Sequence, residues 1–337
     1  MMIRLDMNEN PYEPPENVLD AVAKGIRNVN RYSELKYLSE LQKLIASYST
    51  VSPDRVIVSP GSDFLLREVI NVFSKDRKII VVNPSFLPAL ENAKVFSRKL
   101  IKYQLVPPEF KLNPEIILGE LDEPTLIIID NPNNPTGKIL LDENLVENIL
   151  QSENALLLIN EAYYEFSGFT FANFVEKYPN VAITRTMDKA FSLAGLRLGY
   201  LLAGDYFKLG LSDFPKYLSG PTIFAAIEAL KNPEYVSQNI KKITDEKKRL
   251  ERELKKTGIE VFPTDTNFLL IKSPIPDFAK KLIDSGIIIT DLSGEWLNDF
   301  YTISIGLPKE NSALLTAINN IISMGSEHGV RSTLGSC

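Results

Sequence analysis

The residues best placed to do chemistry lie within 184–200, Thr-Arg-Thr-Met-Asp-Lys-Ala-Phe-Ser-Leu-Ala-Gly-Leu-Arg-Leu-Gly-Tyr. Lys189 is followed eight positions later by Arg197, and small or apolar residues surround both. Most lysines are solvated surface charges. With apolar flanks, desolvation would instead lower the pKa of Lys189 toward that of a nucleophilic amine.

Two further segments bear on that lysine. In 127–138, Ile-Ile-Ile-Asp-Asn-Pro-Asn-Asn-Pro-Thr-Gly-Lys, a β-branched run ends in two Asn-Pro steps and a glycine. That pattern reads as a buried strand entering a tight loop, and a plain turn would use the same residues. In 155–166, Ala-Leu-Leu-Leu-Ile-Asn-Glu-Ala-Tyr-Tyr-Glu-Phe, a second apolar strand ends in polar and aromatic residues. Ligands bind beyond the carboxyl ends of strands in open α/β sheets. Two such ends and a candidate Schiff-base lysine predict one site assembled from distant segments.

These segments resemble those of class I/II aminotransferases that use pyridoxal 5'-phosphate (PLP), and most closely the histidinol-phosphate aminotransferase branch. Leu-Asp-Met-Asn-Glu-Asn-Pro-Tyr at the N-terminus, Arg-Tyr-Ser-Glu-Leu from Arg31, Pro-Gly-Ser-Asp from Pro60 and Thr-Asn-Phe-Leu-Leu from Thr266 fit the same branch in order. The likeness spans roughly residues 5–322. It implies the α/β fold of the fold type I PLP-dependent transferases: a large domain with a mostly parallel central sheet flanked by helices, and a smaller α+β domain. The implied boundaries are 30–233 for the large domain and 1–29 with 234–324 for the small one. The site would fall at their junction and between two subunits of a homodimer.

The resemblance also implies roles. Lys189 matches the lysine that holds the cofactor aldehyde and then moves the substrate's α-proton. Ser62 and Asp63 match the phosphate turn, where a helix start offers free N–H groups to an anion; a simple capping turn is the plainer alternative. Arg197 matches the phosphate arginine, whose fork can hold two oxygens at once. Tyr32 matches a tyrosine that reaches the phosphate in the partner subunit. Phe86 matches the aromatic stacked on the pyridine ring, and Asn134 and Tyr163 match the residues on the ring hydroxyl. Asn10, Thr290 and Thr302 fall on the substrate side.

Five positions depart from the family pattern. Asn160 replaces the aspartate that pairs with the pyridine nitrogen; an amide carries no charge to favour the pyridinium, so a weaker electron sink is expected. Asp188 replaces a phosphate-binding serine. A carboxylate about 4 Å from the phosphate would cost roughly 4 kcal/mol at an effective dielectric near 20, unless it turns away or pairs with Arg185 or Arg197. Thr290 and Thr302 stand where the family has two arginines that hold the acidic group of the substrate. Phe64 replaces an acid.

Composition narrows the chemistry. The 337 residues are 44% hydrophobic and 24% charged with net charge −6, an ordinary globular composition without a basic nucleic-acid footprint. No apolar run approaches a membrane span, and the absence of an apolar signal core predicts a cytoplasmic protein. The single cysteine, Cys337, and the single histidine, His328, leave no disulfide framework and no His- or Cys-based metal site. Proton transfer then falls to lysine, carboxylate or tyrosine.

Periodicity predicts strands at 55–59, 78–82, 125–130, 155–160, 181–185 and 199–203, with helices between most of them. Beyond Pro221, helices fit 223–231, 234–256, 277–285 and 311–323, and strands fit 268–272, 287–290 and 302–305. Residues 325–337 read as a mobile polar tail.

The expected function is amino transfer between an amino acid or primary amine and a 2-oxo acid, the amine's tail not being held by the usual arginines. Two alternatives share the motifs: a related lyase such as threonine-phosphate decarboxylase, and a paralogue with diminished catalysis that serves as a binding or structural dimer.

Overall fold

A computed structural model describes residues 2–212, 214, 217–293 and 297–333, with side chains to 324. Among the described residues, twelve strands form two sheets. In chain order they are β1 (Ile3–Leu5), β2 (Val56–Ser59), β3 (Lys78–Asn83), β4 (Leu100–Gln104), β5 (Thr125–Asp130), β6 (Ala155–Asn160), β7 (Val181–Thr186), β8 (Gly199–Ala203), β9 (Glu260–Phe262), β10 (Phe268–Lys272), β11 (Ile287–Asp291) and β12 (Phe300–Ser304).

The large sheet has the order β2-β8-β7-β6-β5-β3-β4. β3 through β7 run parallel, and β8 runs antiparallel to both neighbours. Its central strands are buried along their whole length. Alternate residues enter two different cores: Ile80, Ile127, Leu157 and Ile183 on one face, Ile79, Leu126, Leu156 and Ala182 on the other. Burial on both faces explains why these strands read as unbroken apolar runs. Each fully buried Ile or Leu adds about 1.5–3 kcal/mol of transfer free energy.

The small sheet has the order β1-β11-β12-β10-β9, with its own core of Leu250, Leu269, Phe278, Ile303 and Leu314. β1 joins it parallel to β11, so the first residues lie beside residues 287–289. The N-terminal segment then divides. Helix Glu16–Ile26 leaves the small sheet and packs on helix Gly220–Lys231, so closely that a Cβ on Gly25 would meet Pro221 N at 2.5 Å.

The structure differs from the periodicity in several places. β1, β4 and β9 lie where no strand was expected, and β12 begins two residues early, at Phe300. The last helix runs over Pro308–Thr333 rather than ending at 323, so backbone expected to be a tail is helical. Gly325 and Gly329 caused that difference, since each costs a helix interior about 1 kcal/mol. Residues 334–337, the rest of the expected tail, lie outside the described residues.

Candidate active site

The parallel strands β3, β5, β6 and β7 all point their carboxyl ends toward one cleft of about 750 Å³. Ten sequence-predicted residues line it: Lys189, Ser62, Asp63, Phe86, Asn134, Asn160, Tyr163, Arg197, Thr290 and Thr302. Two do not. Tyr32 is 90% exposed. Asn10 ties the N-terminal segment to the lysine loop, donating to the Ala190 carbonyl at 3.1 Å and accepting from Tyr12 N at 3.0 Å.

Lys189 lies just past β7, in a loop held by Met187 N donating to the Leu198 carbonyl at 2.9 Å and Asp188 N donating to Thr186 Oγ1 at 3.0 Å. The half-buried amine donates to the Met7 carbonyl at 2.7 Å. Burial lowers its pKa; Asp188, Glu9 and Asp63 oppose that shift, while Arg197 adds to it. The result is an amine biased toward its neutral, nucleophilic form.

One end of the cleft is an anion cradle in outline. Helix Ser62–Phe73 starts there without a side-chain cap, so its first N–H groups are free for a ligand. Gly61 precedes it at φ 100°, and a Cβ there would meet Asp63 Oδ1 at 2.5 Å and Arg197 Nη2 at 2.6 Å. Gly199 lies so close beneath that a Cβ would meet Ser62 N at 2.1 Å. Arg197 reaches in from a left-handed backbone, φ 54°. One arm of its fork binds Asp63 Oδ1 at 2.6 Å and the other binds Asp188. Asp188 therefore pairs with Arg197. Arg185 points through the sheet's other face, where it binds Glu161 at 2.9 Å and stacks on Tyr164 at 3.6 Å. Burial raises the Asp188 carboxyl above its ordinary value, against Arg197 and Lys189. Its Oδ1 is buried without a partner.

The middle of the cleft suits a flat ring. Phe86 stands on one side and Asn160 closes the end of β6. Asn134 donates to the Tyr163 hydroxyl at 3.4 Å, and Asn8 donates to the same oxygen at 3.1 Å. Burial pushes the Tyr163 phenol up, so it stays protonated. The plain-turn alternative holds for the neighbouring asparagines: Asn131 Oδ1 accepts from Leu140 N at 2.7 Å, and Asn133 Oδ1 accepts from the Thr136 hydroxyl at 2.7 Å. They shape the loop that presents Asn134.

Two residues at the site went unread in the sequence. Asn8 lines the cleft at φ 51°, and only its place in the N-terminal motif marked it. Asp130 sits behind Asn160 and was read only as the last residue of a strand. On the substrate side, Thr290 and Thr302 face each other in register across β11 and β12. Thr290 donates to the Asp6 carbonyl at 2.7 Å. Among the described lining residues, the cations are Lys189 and Arg197.

A half-buried amine past a parallel strand, an arginine at an uncapped helix start and an aromatic beside a slot share one cleft. Sequence comparison gives the family. The family model "Aminotransferase class I and II" matches residues 1–318. The histidinol-phosphate aminotransferase of Sulfurisphaera tokodaii is 37% identical over 330 residues, covering 96% of this chain and 91% of that protein. Histidinol-phosphate aminotransferase 1 of Archaeoglobus fulgidus is 33% identical, covering 95% and 99%. Among solved structures, a putative histidinol-phosphate aminotransferase from Erwinia carotovora superposes with TM-score 0.89 at 20% identity, covering 96% of this chain and 97% of that one. The chain belongs to the class I and II aminotransferases, of fold type I, whose cofactor is pyridoxal 5'-phosphate. Its residues fit that group in outline: a half-buried lysine for the aldehyde, an uncapped helix start beside Arg197 for the phosphate, and Phe86 beside a slot for the ring.

Proposed function

We propose that the protein is a cytoplasmic, homodimeric transaminase whose amino donor has a far end not gripped by arginine, and whose acceptor is a 2-oxo acid. The observation that carries this reading is Lys189: one desolvated amine that shares its cleft with Arg197, Asn134 and Tyr163. When bound, the cofactor supplies the electron sink that acidifies the substrate's α-carbon. The protein's own residues do the rest. Lys189 would hold the cofactor's aldehyde and move the substrate's α-proton. The helix start at Ser62 and Asp63, with Arg197, would hold the phosphate, joined by Tyr32 of a second copy. Phe86 would cover the ring, and Asn134 and Tyr163 would face its hydroxyl.

The donor is approached from two sides. The relatives are named for histidinol phosphate, which makes that amine the first to test. The paired Thr290 and Thr302 favour a polar uncharged or apolar tail instead, because a buried anion needs a paired cation. Purified protein mixed with PLP should turn yellow, and borohydride should then fix the cofactor's mass on Lys189. Lys189→Ala should lose that labelled peptide and at least about 1,000-fold in rate. A protein left colourless in excess PLP would refute the reading. Bleaching by uncharged amines, with histidinol phosphate inert, would support the threonine argument.

A further inference from the structure

Asp130 ends β5 directly beside Asn160, its register partner at the end of β6. Its carboxyl group is buried, with 1% of the residue exposed, and it is hydrogen-bonded on both oxygens. Oδ1 accepts from Asn160 Nδ2 at 2.7 Å; Oδ2 accepts from Phe86 N at 2.7 Å and from the Ser85 hydroxyl at 2.9 Å. All three partners donate, which is the set an ionised carboxylate demands. Among the described residues no lysine or arginine pairs with it. A buried charge without a cation is expensive, and such groups are usually matched by something.

We infer that Asp130 is a displaced counter-ion for the cofactor's ring nitrogen, acting through Asn160. The inference rests on the cofactor reading above. Because the carboxylate only accepts, it compels Asn160 to turn its NH2 inward. Asn160 Oδ1 takes one hydrogen bond, from the Thr184 hydroxyl at 3.1 Å, and keeps a second lone pair. An acceptor at that position suits a protonated ring nitrogen, and the negative charge lies one amide further back. Burial pushes Asp130 up from its ordinary value by more than Phe86, Asn160 and Ser85 pull it down; a nearby pyridinium would pull it down further. The charge missing from β6 is thus supplied by the adjacent strand. Asn160→Asp alone would set two carboxylates side by side and should not improve the protein.

Asp130 is a positioning residue, so its test reads binding preference rather than rate. Equilibrium dialysis would compare PLP with its analogue bearing C–H in place of the ring nitrogen. The unaltered protein should prefer PLP by at least about tenfold, one pKa unit's worth of interaction. Asp130→Asn should erase that preference, and the exchanged pair Asp130→Asn with Asn160→Asp should restore it. A preference that survives Asp130→Asn, or fails to return in the exchanged pair, overturns the inference, as does equal binding of both ligands to the unaltered protein. If Asp130→Asn does not fold, the unaltered protein and the exchanged pair must both still prefer PLP. Binding of neither ligand to the unaltered protein overturns the cofactor reading, and this inference with it.

Discussion

Asp188 occupies one arm of Arg197 and Asp63 the other, so the arginine meets an incoming phosphate with both arms already engaged. A phosphate carrying about two negative charges must displace one carboxylate or share the guanidinium. Removing the buried Asp188 frees an arm and deletes a like charge. Asp188→Ser should therefore tighten PLP by about tenfold, measured by fluorescence titration. A weaker complex would mean that Asp188 serves chiefly to hold Arg197 in its left-handed position. Most of the cleft's lining was legible at this scale because Lys189, Arg197 and the Asn-Pro loop stand out by residue type and order. Asp130 was not, because it reads simply as the last residue of an apolar strand. Its meaning depends on facing Asn160 across two strands, and register is invisible in one dimension.

The start of β8 and the start of helix Ser62–Phe73 are packed backbone against backbone at Gly199. Gly199→Ala should push the helix start away, lower stability by about 1–3 kcal/mol and weaken PLP binding. Gly195→Ala is the control, since a Cβ there meets nothing within 4 Å. Thermal melts and the same titration would separate them; equal behaviour of the two variants would show that the cradle tolerates displacement. Among elements, the buried strands β5, β6 and β8 matched their predicted bounds because apolar runs between helices leave few alternatives. β4 was missed: Leu-Ile-Lys-Tyr-Gln lies at the sheet edge and is only partly buried, so its pattern is weak. β1 and β9, three residues each, are too short to show a period. Nor does an apolar run reveal direction, so the antiparallel setting of β8 was unreadable.

Tyr32, Tyr217, Leu35 and Val29 are 90%, 71%, 80% and 69% exposed, and the two tyrosine rings lie 5.7 Å apart. Apolar side chains displayed together in this way fit a surface that another subunit covers. Sedimentation should give a dimer, and Tyr32→Phe should keep the dimer while losing about three- to tenfold in PLP affinity, the worth of one hydrogen bond. A monomeric protein that binds the cofactor at full strength would contradict this arrangement. A single sequence could indicate Tyr32 only by resemblance, because a residue proposed to act in another copy has no local partner to betray it.

β1 has one consequence for how the molecule comes into being. Ile3 pairs with Ile287, so β1 must wait for 284 further residues before its mate exists. At about 5–20 residues per second that is a delay of roughly 15–60 s. Meanwhile the Met7 carbonyl that receives the Lys189 amine has no fixed address. The cleft therefore closes only after residues about 280 positions apart in sequence have both been made.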